Sequence, residues 1–183
     1  MSNRTHSVLA KKISIKPTQD AIRPMLVFVA SFALLMVLFY WFSFTAYWSI
    51  HIQPHILFTY ANLAGILLNM LGENTTVFGE VISSSQFAVN VKRGCDAIEP
   101  MALFSSFIIV FPKSWKQKLL GLSVGLSLLF ILNIIRIITL FLMGVYYPDY
   151  FDYMHLEIWQ LLFIILSFLI CGIWMKYPLQ EKN

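Results

Sequence analysis

Charge is what this chain has least of. Only 12% of its 183 residues are Asp, Glu, Lys or Arg, about half the ~25% usual for soluble domains, while 58% are hydrophobic. That excludes an ordinary soluble domain, and the length fits a single domain. Cysteine is nearly absent. Cys95 and Cys171 are the only two, which excludes a disulfide framework, and no Cys-x-x-Cys redox motif occurs. There is no zinc signature, internal repeat or low-complexity tract. His51 and His55 could suggest a metal site, but Pro54 between them spoils a helical pair. The net charge of +4 is not a nucleic-acid footprint, because the basic residues form small clusters beside apolar runs.

Long apolar runs are what the chain does have. Several reach the roughly 17–25 residues that cross a bilayer. The first runs from Met25 to about Ile50, beyond the ~7–15 residues of a signal-peptide core. No small-x-small cleavage site follows, so a retained span is expected over Met25–Trp48, with Tyr40, Trp41, Tyr47 and Trp48 near an interface. Further spans are expected over Asp96–Phe111, Leu119–Tyr147 and Ile158–Met175. Pro54 is read as breaking the segment His51–Gly72, which carries a polar stripe of Thr59, Asn62 and Asn69. That segment remains a crossing, a re-entrant piece or a surface helix. Phe87, Val89 and Val91 alternate with polar or small residues, the period of a strand. Val77–Ile82 is its expected partner across Ser83–Gln86. Asp96 with Glu99 resembles a capping box, and Glu99-Pro100 offers another helix start. Pro148–Glu157 reads as an acidic loop.

The basic clusters set the topology. Residues 1–24, the 113–118 loop and the C-terminus hold ten of the thirteen Lys and Arg, and such clusters favour the cytoplasm. All three can lie there with four firm spans if 51–72 is re-entrant or interfacial. The expected organisation is a cytoplasmic basic tail (1–24), a membrane-embedded domain (25–176) and a second cytoplasmic tail (177–183). The expected fold class is an all-α multispanning helix bundle, with a short extracytoplasmic polar, β-like segment before Cys95.

This topology puts three unusual residues in one layer. Cys95 opens the second span and His155 precedes the last. Arg136 lies 17 residues past Leu119, roughly 25 Å up its helix. Cys95 follows Lys92-Arg93 and precedes a helix N-terminus, both of which favour a thiolate. It is a nucleophile or a small buried hydrophobe. Cys171 lies deep in an apolar run and suits the second role. Arg136 at membrane depth is a functional candidate, with snorkelling to the interface as the alternative. Asn133, one turn earlier, shares its face. His155 is a solvated loop residue or, with a cysteine in its layer, a candidate base.

Gly94-Cys95 at a helix start, Asn133-Ile134-Ile135-Arg136 in an apolar helix and His155 before the last span together resemble the exosortase/archaeosortase family. The resemblance covers roughly residues 75–175, and the short length is similar to the compact branch, with exosortase H the candidate subtype. Many members carry a small residue directly after the cysteine, where this chain has Asp96. The resemblance implies a membrane cysteine transpeptidase or protease in a Gram-negative inner membrane, working on its periplasmic side. Its partners would be exported proteins with a C-terminal motif, transmembrane helix and basic tail, an amine acceptor and the lipid bilayer, with no nucleic acid and no cofactor. Cys95, Arg136 and His155 carry over as catalytic residues, with Asn133, Asp96 and Glu99 around them as supporting or substrate-binding groups. Two other readings fit the composition: a substrate-capture subunit of a small-molecule importer, which has no acyl intermediate, and a structural assembly factor.

Overall fold

The computed structural model describes residues 19–176; most of the expected N-terminal tail and the tail after Lys176 fall outside these residues. The first helix, α1, spans Gln19–Ser43 and stops five residues short of expectation. Hydroxyls end it. Ser43 Oγ donates to the Tyr40 carbonyl, and Thr45 Oγ1 accepts the Trp48 N–H, local bonds that compete with the helical ladder. A π-helical turn (Trp48–Ile52) leads into α2, Gln53–Met70. Pro54 stands in the first turn of α2 and starts the helix rather than breaking it, because the ring removes an N–H that has no helical partner there.

A three-stranded antiparallel sheet follows, with β1 (Thr76–Phe78), β2 (Val81–Ser83) and β3 (Ala88–Asn90) in that order. The expected strand Val77–Ile82 is two strands. Gly79 adopts φ +60 and turns the chain so that Phe78 faces Val81. The alternation before Cys95 is as expected: Phe87, Val89 and Val91 face inward, while Ala88, Asn90 and Lys92 are exposed.

Helix α3 is Ile98–Val110. Neither expected start holds. The residue before the helix is Ala97, in a left-handed conformation, and Asp96 caps from one position earlier by accepting the Ile98 N–H. With 13 residues, or roughly 20 Å, α3 is shorter than a full span. Helix α4 runs from Trp115 to Tyr146, 32 residues. It absorbs Trp115–Lys118, most of the expected basic loop, because Ser114 and Gln117 form a capping box that starts it early.

The expected acidic loop is helical. A 3-10 turn (Pro148–Tyr150), one α turn (α5, Phe151–Tyr153) and a π turn (Met154–Ile158) run straight into α6, Trp159–Lys176. Among the described residues, three segments are long and apolar enough to cross a membrane: Ile22–Ser43, Trp115–Tyr146 and Pro148–Lys176. The protein is an all-α membrane protein with one small sheet, and its outward apolar side chains, such as Val37, Trp41 and Phe168, suit a lipid-facing surface.

Helix α4 is the axis of the bundle. On one side it packs with α2 and the sheet through Tyr60, Leu68, Ile82, Ile137 and Phe141. On another it packs with α3 and α6 through Phe104, Leu129, Leu140 and Phe163. Gly125 permits the second contact, since a Cβ there would collide with the Phe104 ring. Lys113 Nζ donates to the carbonyls of Trp174 and Met175, and Arg23 shares a groove with Pro112 and Trp115. The basic groups near α1, α4 and α6 therefore gather at one end, opposite the segment that carries Cys95.

Candidate active site

The thiol is positioned by a backward fold of the chain between β3 and α3. Cys95 N–H donates to the Lys92 carbonyl at 2.8 Å. Gly94 makes this turn possible: its φ of +90 is open to glycine and strained for other residues. Ala97, at φ +54, carries that strain without a glycine, and Asp96, buried beside it, braces the turn through the Ile98 N–H.

Helix α4 then clasps the turn. Asn133 Nδ2 donates to the Cys95 carbonyl at 2.9 Å, and Arg136 Nη1 donates to the Gly94 carbonyl at 3.2 Å. Their three-residue spacing puts both on one helical face. Asn133 is wholly buried and Arg136 is 5% exposed, so Arg136 is no snorkelling residue. Its Nη2 lies 4.0 Å from Cys95 Sγ, and its guanidinium lies 5.6 Å from the centre of the Phe163 ring. Arg136 Nε has no hydrogen-bond partner.

His155 reaches the thiol from the other side. Its Nε2 is 3.7 Å and its Nδ1 3.9 Å from Cys95 Sγ. The ring stacks on Phe151, one turn earlier, with centroids 5.9 Å apart and planes 16° apart. Phe87 packs against Phe151 in turn. It can do so because residue 144 is glycine, where a Cβ would strike the Phe87 ring. The π turn holding His155 breaks α-helical phase, a feature that π-helical insertions often show at functional sites.

Electrostatics at the thiol differ from the sequence expectation. Burial pushes the Cys95 thiol above the ordinary cysteine value, and the Arg136 guanidinium is the leading opposing influence. Arg93, expected to help, is engaged elsewhere. It donates to the Ser43 carbonyl and hydroxyl at 3.2 and 3.1 Å and lies over the Phe44 ring, tying the cysteine loop to the end of α1. Burial likewise raises the Asp96 carboxyl, against the pull of nearby backbone N–H groups.

Cys95, Asn133, Arg136 and His155 thus converge, with Asp96 buried beside them. Glu99 stays at the surface, on the rim of a groove. Cys171 is buried among apolar side chains on α6. Sequence reasoning missed Ser43, Phe87 and Phe151. Phe151 and His155 are four residues apart, a helical spacing that goes unread once the segment is taken for a loop.

A half-buried thiol flanked by an imidazole and a guanidinium, at the turn between β3 and α3, marks a multispanning membrane protein with a cysteine–histidine–arginine cluster. The chain belongs to the transmembrane exosortase family, whose pattern matches residues 24–172. No curated protein and no solved structure matches it.

Proposed function

We propose that this protein is a membrane cysteine transpeptidase or protease that processes C-terminal sorting signals of exported proteins. Its site would lie on the periplasmic side of a bacterial inner membrane, with both termini in the cytoplasm. The observation that carries this reading is Cys95 Sγ held between His155 Nε2 and Arg136 Nη2. A structural cysteine needs neither neighbour.

In the proposed reaction the Cys95 proton passes to His155 as sulfur attacks a peptide carbonyl carbon. The C–S bond forms and the carbonyl π electrons move to oxygen. Arg136, whose Nη2 faces the thiol, supplies a donor for that oxyanion in a site of low dielectric. The C–N bond then breaks, and His155 returns the proton to the leaving amine. An amine acceptor or water attacks the thioester, releasing the product and restoring the thiol. Asn133 acts earlier, fixing the backbone that carries sulfur. The contacts of 3.7–4.0 Å are loose for proton transfer, as resting sites often are before substrate tightens them. Among the described residues β3 pairs with β2 alone, which makes it an edge strand of the kind an extended peptide can join.

The test is trapping. The protein is co-expressed with an exported protein bearing a C-terminal motif, transmembrane helix and basic tail, and Cys95 is examined by mass spectrometry. A substrate fragment in thioester linkage, absent from Cys95→Ala, is the expected result. Tight binding of a small molecule, unaffected by thiol blocking and with no such adduct for any exported neighbour, would point to a capture subunit instead.

A further inference from the structure

A groove of about 1000 Å³ runs between α1 and α3 at the basic end of the bundle. Val27, Ser31 and Leu34 line it from α1, Ile109 from α3, and Trp115 from the start of α4. From Arg23 to Leu35 it follows α1 for roughly 18 Å, a little more than half the ~30 Å hydrocarbon core of a bilayer. It is therefore about one leaflet deep. It also opens sideways, since Val27 and Leu34 are each 59% exposed.

Positive charge collects at the mouth. Phe28 packs against Phe107 and Phe111, which brings Arg23, just over one turn earlier, level with Pro112 and Trp115. Arg23 and Trp115 stand at the starts of two apolar spans, Ile22–Ser43 and Trp115–Tyr146, the depth of lipid headgroups. Arg23 is exposed there. Lys118 Nζ donates to the Ile109 carbonyl at 2.6 Å and lies 4.9 Å from the centre of the Trp115 ring, so its ammonium stands beside two residues of the lining. An ammonium carries three donors, and that bond uses one. The N-terminal dipole of α4 adds positive potential at the same place. An apolar slot one leaflet deep, with cations and an indole at its mouth, has the layout of a single lipid. Guanidinium pairs with phosphate through parallel N–H bonds, and basic pockets between membrane helices hold anionic headgroups. A zwitterionic ethanolamine headgroup would bring its own ammonium against two like charges.

We infer that this groove binds one anionic phospholipid, with an acyl chain along α1 and the phosphate between Arg23 and Lys118. The lipid fills the seam between α1 and the rest of the bundle. The site lies at the opposite end of the bundle from Cys95, so it stands independently of any acyl-enzyme, and its test needs no turnover.

The full chain is placed in phosphatidylcholine vesicles with a trace of phosphatidylglycerol that carries a diazirine at the end of one acyl chain. After illumination the labelled residues are read by mass spectrometry. Labelling around Leu34 is compared with labelling around Leu128, which lies at a similar depth on α4, exposed and outside the groove. The Leu34 region should be favoured about three- to tenfold, the worth of one or two cations near an anionic headgroup. The same diazirine chain on phosphatidylethanolamine should label both regions about equally, as passing annular lipid does. Arg23→Gln should bring the phosphatidylglycerol ratio close to that of phosphatidylethanolamine, and Arg23→Lys should keep part of it. Lys176→Gln, which removes an exposed cation at the end of α6 outside the groove, should change nothing. Equal ratios for the two lipids in the wild-type chain, or a preference that survives Arg23→Gln, would overturn the inference. So would a Lys176→Gln effect as large as that of Arg23→Gln, which would mean a diffuse surface field, or a groove that labels only when two copies cross-link.

Discussion

The two ends of the bundle use the same chemistry to different effect. At the basic end, Lys113 donates to the carbonyls of Trp174 and Met175 and lies over the Trp174 ring. Lys118 donates to the Ile109 carbonyl and lies over the Trp115 ring. These cations satisfy carbonyls at the ends of α6 and α3, where the helix dipole also favours them. At the other end Arg136 likewise meets a carbonyl and an aromatic ring. Three things separate it from a cap. It is buried, it has a donor to spare, and a thiol lies beside it. A cation at a helix end holds the structure together, whereas a buried cation with an unused donor is placed for charge that appears later, during reaction.

That contrast can be broken in order of expected effect. Cys95→Ala should abolish substrate processing, whereas Cys171→Ala should leave it within about twofold, as a small-residue exchange at an inert buried thiol would. Next, His155→Gln should lower the processing rate by about 10²–10⁴, the usual contribution of a general base. Arg136→Gln should cost about 10²–10³ in the chemical step, as loss of one oxyanion donor does, with substrate binding little changed; single-turnover kinetics separates the two. Gly144→Ala should act indirectly. The new methyl displaces Phe87, which loosens Phe151 and then the His155 ring, so overpacking of about 1–3 kcal/mol should appear as both a lower melting temperature and a slower rate. Smallest of all, Lys113→Ala should lower stability by about 0.3–1 kcal/mol and leave the rate unchanged.

Which parts were legible in the sequence follows the same physics. The apolar runs revealed the long helices, because a bilayer sets their length, and the alternation of Phe87, Val89 and Val91 revealed β3. Topology placed Cys95, Arg136 and His155 in one layer, and in the fold they touch. Helix ends were less legible. Ser43 and Thr45 stop α1 by hydroxyl bonds that leave no periodic trace, and Ser114 starts α4 inside an apparent loop. The segment Pro148–Glu157 was misread because acidic residues at an interface look like a loop while the backbone stays helical. Lys92-Arg93 looked like the natural partner of the thiol through adjacency, yet Arg93 turns to Ser43 and Phe44. The effective cation comes from 41 residues away.

The central claim is that Arg136 acts on the Cys95 thiol. It is tested most directly by the alkylation rates of Cys95 and Cys171 in the same molecules, followed by mass spectrometry against pH, in wild type and Arg136→Gln. The Cys95 thiol already lies above its ordinary value and Arg136 opposes that rise. Removing the guanidinium should therefore raise it further and leave less thiolate at any given pH. The account predicts that Cys95 labelling at pH ~8 slows by about three- to tenfold and its profile moves to higher pH, the lower thiolate fraction outweighing the gain in intrinsic nucleophilicity. The rate at Cys171 should stay constant and report an intact fold. An unchanged or faster Cys95 rate with Cys171 constant would contradict the account and return Arg136 to the role of a structural clasp.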